Sequence, residues 1–363
     1  IPVGYLYTMG NPRTCWQLHT TPQPGLNGRA IKYPRGKVLG GCSSIYGMIY
    51  QRGQAADYDG WADAVAGGDG VPDGERRGAR AVLTPLRQSN GFRPEVSAIE
   101  TFLAEDPQPK AIFLNSPQNP TGGVTTEEDL VAIADLVRGK DIAVFSDEPY
   151  CHMVWEGRHH SLLEQPGMMD QCVAAYTFSK SYSMSGWRLG FAVTSERIAD
   201  SIGKMINTSL SCTPPLVQLA GAAALDNDHA ERDRVMNEFR DKVVLLTEGL
   251  NAIDGIHSLD PTATFYVFPN VMEVCNRLGI KSHGLALYLL EGADDEFGIA
   301  CLGGECFGEA GAGFLRFSCA EPNDRLQQAL DFLPEAFSRT DRIAAYLESH
   351  PEFRLTTPYA TGA

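Results

Sequence analysis

From about residue 81 onward, short apolar runs alternate with longer segments in which apolar residues recur every three or four positions. The short runs predict five buried strands at Ala81–Leu83, Ala111–Leu114, Ile142–Phe145, Val173–Phe178 and Leu189–Val193. The periodic segments predict helices, and two of them, Glu95–Leu103 and Leu130–Val137, lie between predicted strands. Strands that alternate with helices imply an α/β fold, in which helices cover a mostly parallel sheet.

The pattern also predicts one helix start and a change of architecture further along the chain. Thr125, followed three positions later by Glu128, predicts a capping box before the helix at Leu130. After residue 228 a long helical segment, Glu231–Ile253, precedes shorter elements, which predicts a smaller C-terminal α+β domain. The shorter elements are Thr264–Phe268, Ser282–Leu290, Ile299–Leu302 and Phe314–Cys319, and the last predicted helices span Arg325–Leu347.

Composition divides the chain into four parts. Residues 1–66 are rich in Gly, Pro and Tyr and show little helical periodicity, and residues 67–80 form a Gly-rich junction. The alternating pattern then predicts a large domain at 81–228 and a small domain at 229–363.

Charge and cysteine usage narrow the function classes. Lys and Arg number 30 and Asp and Glu 45, so the formal net charge is −15, which argues against a nucleic-acid or anionic membrane partner. The nine cysteines include no CxxC pair, which favours reduced thiols in the cytoplasm over disulfides or zinc. His159 and His160 suggest no third ligand, so we expect solvated histidines and no metal site. No apolar run reaches the length of a membrane span.

Lys180 follows a predicted strand and is the first candidate for chemistry. Partial burial there would disfavour its ammonium form and make the amine a nucleophile. Thr177, Ser179 and Arg188 would supply hydroxyl and guanidinium donors suited to a phosphate. A Schiff-base lysine beside phosphate ligands is the pattern of a pyridoxal-phosphate site, although a surface lysine in a Ser-rich turn is the alternative.

Four other residues complete the predicted constellation. Asp147 could keep a pyridine nitrogen protonated, or could be a turn aspartate. Asn119 and Tyr150 could donate to a ring hydroxyl, or be an Asn-Pro turn residue and a core tyrosine. Arg316 lies in a strand pattern that would bury it beside an anion, either a substrate carboxylate or a structural ion-pair partner. The loops with Asn119, Asp147 and Lys180 follow strands, where α/β sheets bind ligands.

Five motifs resemble the fold-type I aminotransferases of the aspartate aminotransferase-like class I/II group in order and spacing. They are Asn115–Gly122, Ser146–Tyr150, Ser179–Gly190, Phe265–Pro269 and Leu315–Ser318. The resemblance extends from about residue 80 to the C-terminus. It implies the cofactor pyridoxal 5'-phosphate, transfer of an amino group between an α-amino acid and a 2-oxo acid, and a homodimer.

The resemblance also implies a role for each matched residue. Lys180 would be the Schiff-base lysine that forms the aldimine, and Asp147 and Tyr150 would act on the cofactor ring. The implied cofactor-binding residues are Asn119, Asp147, Tyr150, Thr177, Ser179, Lys180 and Arg188. Arg316, with Asn119, would bind the substrate carboxylate.

Residues 2–61 instead resemble the glucose–methanol–choline oxidoreductases, choline dehydrogenase in particular. The motifs are Gly4–Tyr7, Gly10–Arg13, Tyr33–Ser44 and Arg52–Trp61. The dinucleotide-binding GxGxxG of that family is not recognisable in this sequence, nor is the aminotransferase family's phosphate loop before residue 80. Two alternatives to the aminotransferase therefore stay open: a FAD-dependent oxidoreductase fragment and a non-catalytic chimeric relic.

Overall fold

The computed structural model describes residues 12–13, 16–22, 28–30, 32–33 and 80–360. The chain divides into two compact units, one of residues 1–69 with 200–213 and one of residues 70–199 with 214–363. In the first unit, strand β1 (Leu18–His19) pairs antiparallel with β2 (Lys32–Tyr33). Most of the oxidoreductase-like motifs and most of the Gly-rich junction lie outside the described residues.

The second unit contains a four-stranded sheet in the order β3-β4-β5-β6. The strands are β3 (Ala111–Asn115), β4 (Ala143–Asp147), β5 (Cys172–Thr177) and β6 (Gly190–Val193). Strands β3, β4 and β5 are parallel, whereas β6 runs antiparallel to β5. The register pairs Asn115 with Asp147, so the carboxyl ends of the parallel strands meet at one edge. The predicted α/β fold with a mostly parallel sheet is confirmed.

One face of this sheet packs on two helices, α1 (Val96–Glu105) and α2 (Glu127–Val137). Ile112 and Val144 point into that core and contact apolar residues of the helices. Phe113 and Phe145 point to the opposite face, as the period-two alternation of a strand requires. Both rings are exposed, and they stack with their centroids 4.8 Å apart.

The predicted helix start is wrong by one residue. Thr126, not Thr125, caps α2, and Asp129 rather than Glu128 completes the capping box. Asp129 also accepts two hydrogen bonds from Arg93, at 2.9 and 3.0 Å, which favours this register over the neighbouring one. The backbone N–H of Thr125 instead donates to the hydroxyl of Ser116 at 2.9 Å.

Thr126→Ala is expected to lower the free energy of unfolding by about 1 kcal/mol, because the N–H of Asp129 loses its side-chain acceptor. Urea unfolding monitored by circular dichroism measures this difference. Thr101→Ala is the control, since Thr101 lies on the exposed surface of α1 and is not a cap. An equal loss in both variants would contradict the assigned cap.

The predicted strand at Ala81–Leu83 is also wrong. This segment has no regular structure, and Val82 and Leu83 are exposed. An apolar run forms a strand only when another strand pairs with it, and none of the described strands does so here.

Three helices connect the sheet to the C-terminal part: α3 (Glu196–Ser209), α4 (Pro215–Asn227) and α5 (His229–Asn251). A second sheet follows, with strands β7 (Tyr266–Val267), β8 (Leu302–Gly303) and β9 (Leu315–Ser318). Strand β9 lies between β7 and β8, and all pairs are antiparallel. The remaining helices are α6 (Met272–Leu278), α7 (Ser282–Leu287) with a π-helical turn at Tyr288–Gly292, α8 (Asn323–Ser338) and α9 (Thr340–Ser349).

Two strands of this region are shorter than predicted. The strand expected at Thr264–Phe268 is reduced to β7, because Thr264 has a left-handed backbone with φ of 66° that cannot continue a ladder. The strand expected at Ile299–Leu302 is reduced to β8. Among the described helices, none combines the length and apolar character needed to cross a membrane.

Candidate active site

The loops that carry the predicted site residues lie at the carboxyl edge of the first sheet. Asn119 follows β3, Asp147 is the last residue of β4, and Lys180 follows β5. The Nζ of Lys180 lies 5.6 Å from the ring centroid of Tyr150 and 5.4 Å from that of Phe265. Strand order alone therefore brings Asn119, Asp147 and Lys180 to one edge, as the sequence predicts.

Asp147 is held by an asparagine at the end of the neighbouring strand. Nδ2 of Asn115 donates to the carboxylate Oδ2 and to the backbone oxygen of Asp147, both at 3.1 Å. The residue is exposed, yet protein atoms partly desolvate its carboxyl group. This desolvation and the nearby Glu148 raise the pKa of Asp147, and the bond from Asn115 opposes the rise.

Glu148 points the other way and is a buried carboxylate, with 1% of its surface exposed. It accepts hydrogen bonds from the hydroxyls of Ser146 and Ser161, at 2.7 and 2.8 Å. His159 Nε2 lies 2.7 Å from its other oxygen. Burial raises the pKa of Glu148, but the bonds from His159 and Ser146 lower it by more, so the net shift is downward. The expectation that His159 is solvated is therefore wrong.

Arg316, on β9, packs against two aromatic rings. Its guanidinium carbon is 4.4 Å from the ring centroid of Tyr266 and 5.0 Å from that of Phe307. Its Nη1 donates to Oδ1 of Asn119 at 3.0 Å. Its Nε is buried and has no hydrogen-bond partner among residues 80–360. Because the guanidinium packs over aromatic rings, the donors at its edge are the ones left for an anion.

Two buried tyrosines join the lysine and arginine sides of the site. The hydroxyl of Tyr150 donates to that of Tyr266 at 3.4 Å, and the ring of Tyr150 contacts that of Phe265 edge-on. Burial, followed by the hydrogen bond to Tyr266, raises the pKa of Tyr150. Tyr150 is therefore a neutral hydroxyl group, able to donate, at physiological pH.

The three predicted phosphate ligands lie on the segment between the end of β5 and the start of β6. The hydroxyl of Thr177 donates to the backbone of Leu189 at 3.3 Å and accepts from the N–H of Ser179 at 3.0 Å. Arg188 is exposed, has a left-handed backbone, and donates to the backbone oxygen of Ser185 at 2.7 Å. Within the described residues no hydrogen bond connects Arg188 to Asp147, Asn119, Tyr150 or Arg316.

Four residues that contact the predicted site residues or their neighbours were not themselves predicted as site residues: Asn115, Tyr266, Phe307 and Glu148. Asn115 stands at the start of the same loop as Asn119, and its strand-end position was the one available signal. The described residues contain no group of three or more metal-ligating side chains.

Comparison with known proteins agrees with this geometry. Residues 73–333 match the family model "Aminotransferase class I and II", and residues 3–87 match "GMC oxidoreductase". An aspartate aminotransferase of Pyrococcus abyssi is 31% identical over 257 residues, which is 70% of this chain and 63% of that protein. Aromatic-amino-acid aminotransferase 2 of Thermococcus litoralis is 29% identical over 257 residues, with the same shares of the two chains.

Solved structures of this group share the fold. The aromatic aminotransferase from Pyrococcus horikoshii OT3 superposes with a TM-score of 0.64 and 29% identity over 75% of this chain and 68% of that chain. The aspartate aminotransferase from Thermus thermophilus with maleate gives a TM-score of 0.62 and 28% identity over 69% and 62%. The chain spans less than two thirds of the length of the curated relatives above, at 63% of each.

The oxidoreductase match is confined to residues 3–87, whereas the aminotransferase match spans most of the chain. The aminotransferases of class I and II use pyridoxal 5'-phosphate as their cofactor, and this chain belongs to that family.

Proposed function

We propose that the chain is a pyridoxal-phosphate-dependent aminotransferase that moves an amino group between an α-amino acid and a 2-oxo acid. The observation that carries the proposal is a continuous set of contacts from a lysine to an arginine to an aspartate. In order, these residues are Lys180, Tyr150, Tyr266, Arg316, Asn119, Asn115 and Asp147.

The residues present fit pyridoxal 5'-phosphate. Asp147 offers a carboxylate to a protonated ring nitrogen, and Asn119 and Tyr150 offer donors to a ring hydroxyl. The site also has the unsatisfied donors that an anionic ligand needs, since the Nε of Arg316 is buried without a partner in the described part of the chain. When bound, the cofactor supplies an aldehyde for the amino group and a ring that withdraws electrons from the substrate α carbon.

Lys180 is the proposed nucleophile and general base. Among the described residues its side chain contacts the ring faces of Tyr150 and Phe265 and forms no ion pair with a carboxylate. A lysine amine that no carboxylate holds is free to attach the cofactor and then move the proton at the substrate α carbon.

Arg316 is the proposed clamp for the substrate α-carboxylate. Tyr266 and Phe307 fix the plane of its guanidinium, and the bond to Asn119 fixes its rotation within that plane. A planar fork held in this way can bind a carboxylate through two parallel hydrogen bonds and so orient the α carbon toward Lys180.

Purified protein that has been mixed with pyridoxal phosphate and then separated from unbound cofactor by gel filtration is expected to keep the cofactor's absorbance band, which should shift when an amino acid is added. Lys180→Ala should lack this band, because the amine that attaches the cofactor is gone. Lys110→Ala is the matched control, since this exposed lysine directly precedes β3 and forms an ion pair with Asp141. A band of equal strength in Lys180→Ala would contradict the proposal.

The same spectrum tests the alternative function. The match of residues 3–87 to GMC oxidoreductases favours a flavin, so a flavin spectrum from protein without added cofactor would support that reading.

We further propose, on family resemblance, a cytoplasmic homodimer with a large domain at 81–228 and a small one at 229–363. Sedimentation analysis would test the dimer, and limited proteolysis would test the boundary.

A further inference from the structure

We propose that Asn115 is a positioning residue that fixes the carboxylate of Asp147 relative to Asn119 and, through it, to the guanidinium of Arg316. The inference rests on the proposed function, because it assigns the purpose of this alignment to holding cofactor and substrate in one geometry. In this proposal Asn115 itself contacts neither the cofactor nor the substrate.

The hydrogen bonds of Asn115 define its amide orientation fully. Its Nδ2 donates to the carboxylate of Asp147 at 3.1 Å, and its Oδ1 accepts from the backbone N–H of Asn119 at 3.0 Å. A carboxylate can only accept and a backbone N–H can only donate, so a flipped amide would lose both bonds. The planar amide thus sets the separation between Asp147 and the start of the Asn119 loop.

The backbone reinforces this link on both sides. Asn115 and Asp147 are register partners in β3 and β4, and the N–H of Ser116 donates to the backbone oxygen of Asp147 at 3.1 Å. On the far side, Oδ1 of Asn119 accepts from Nη1 of Arg316 at 3.0 Å. Asn115 is therefore the single side chain that bonds to both Asp147 and Asn119 among the described residues.

The electrostatics give a direct readout that does not depend on cofactor. Desolvation and Glu148 raise the pKa of Asp147, and the donated bond from Asn115 lowers it. Asp147 and Tyr150 also interact electrostatically, and the raised pKa of Tyr150 keeps the Tyr150 hydroxyl neutral. Because Glu148 and Tyr150 are unchanged in Asn115→Ala, movement of the Asp147 titration in that variant reports the loss of the Asn115 donor.

Two variants separate alignment from simple packing. Asn115→Ala removes all three side-chain hydrogen bonds of Asn115, so the Asp147 carboxyl should titrate at a higher pH than in the wild type. Asn115→Asp keeps the shape and the acceptor for Asn119 but places a second carboxylate beside Asp147, so its titration should move further upward. Affinity for pyridoxal phosphate should fall by roughly 10- to 100-fold in either variant, the usual effect of losing a hydrogen bond to a charged group.

The experiment is a carbon-13 NMR titration of labelled aspartate carboxyls in cofactor-free protein, with the Asp147 signal assigned from Asp147→Asn. Gln171→Ala is the control: this amide caps backbone oxygens of Val137, Lys140 and Ile142 near the other end of the sheet. Upward movement in the Asn115 variants, with none in the control, supports the inference. Unchanged titration in Asn115→Asp overturns it, even if Asn115→Ala fails to fold.

A parallel cofactor titration of the wild type keeps the two proposals distinguishable. If wild-type protein binds no pyridoxal phosphate, the proposed function fails, while the Asp147 titration still decides the role of Asn115. If the wild type binds cofactor and both Asn115 variants bind it equally well, the inference alone is overturned.

Discussion

Arg316→Ala is expected to lower kcat/KM for the amino-acid substrate by about 30- to 4,000-fold, since losing one partner of a buried charged hydrogen-bonded pair costs roughly 2–5 kcal/mol. The guanidinium lies over the rings of Tyr266 and Phe307, and its Nε is buried without a partner in the described part of the chain. Removing it leaves the substrate carboxylate without its proposed fork. Steady-state transamination kinetics at several substrate concentrations measure the loss.

The split between KM and kcat identifies the role. A carboxylate clamp acts on bound substrate as well as on the transition state, so most of the loss should fall on KM. Arg316→Lys should recover little, because an ammonium forms no planar fork and does not stack on an aromatic ring as a guanidinium does. Arg277→Ala is the matched control, since that exposed arginine pairs with Asp254. A normal KM in Arg316→Ala would rule out the clamp.

Glu148→Ala is expected to lower the free energy of unfolding at pH 7 by roughly 3–5 kcal/mol, the usual loss when one partner of a buried pair is removed. The variant deprives Ser146, Ser161 and His159 of their shared acceptor in the protein interior. Urea unfolding of cofactor-free protein measures the loss. Glu335→Ala should cost less than about 1 kcal/mol, because Glu335 forms an exposed pair with Arg339.

The pH dependence of this difference has a defined sign. Hydrogen bonds hold the pKa of Glu148 below its ordinary value in the folded state. Its stabilising contribution is thus fully present above the pKa of an unfolded glutamate, about 4.3, and is lost as pH falls through the lower folded pKa. The gap between wild type and Glu148→Ala should therefore narrow in acid. A gap that widens below pH 4 would contradict the assigned network.

The sequence predicts well those strands in which the apolar residues of the strand itself determine which side chains are buried. Strands β3, β4 and β5 start or end within about one or two residues of the predicted runs. Ala81–Leu83 is not a strand because none of the described strands pairs with it, and no local pattern reveals such pairing. The cap at Thr126 depends on Arg93, a residue 36 positions from Asp129, so the sequence could not choose between two adjacent threonines.

The site shows the same division between local and distant information. Lys180, Asp147 and Asn119 follow predicted strands and lie in motifs, so their places at one edge of the sheet could be predicted. Asn115 also begins such a motif, but its contact with Asp147 follows from the register of β3 on β4, which no local pattern gives. The sequence places His159 on a probable loop, which predicts a solvated histidine, yet that loop returns to Glu148 just after β4.

The bond between Asn119 and Arg316 spans 197 positions of sequence. During synthesis, the loops with Asn119, Asp147 and Lys180 leave the ribosome well before β9. The proposed carboxylate clamp therefore cannot form until β9 has come to the Asn119 loop, a step that carries the entropic cost of a long loop. Substrate recognition, more than cofactor contact, would be the last property that a folding chain acquires and the first that a C-terminal truncation removes.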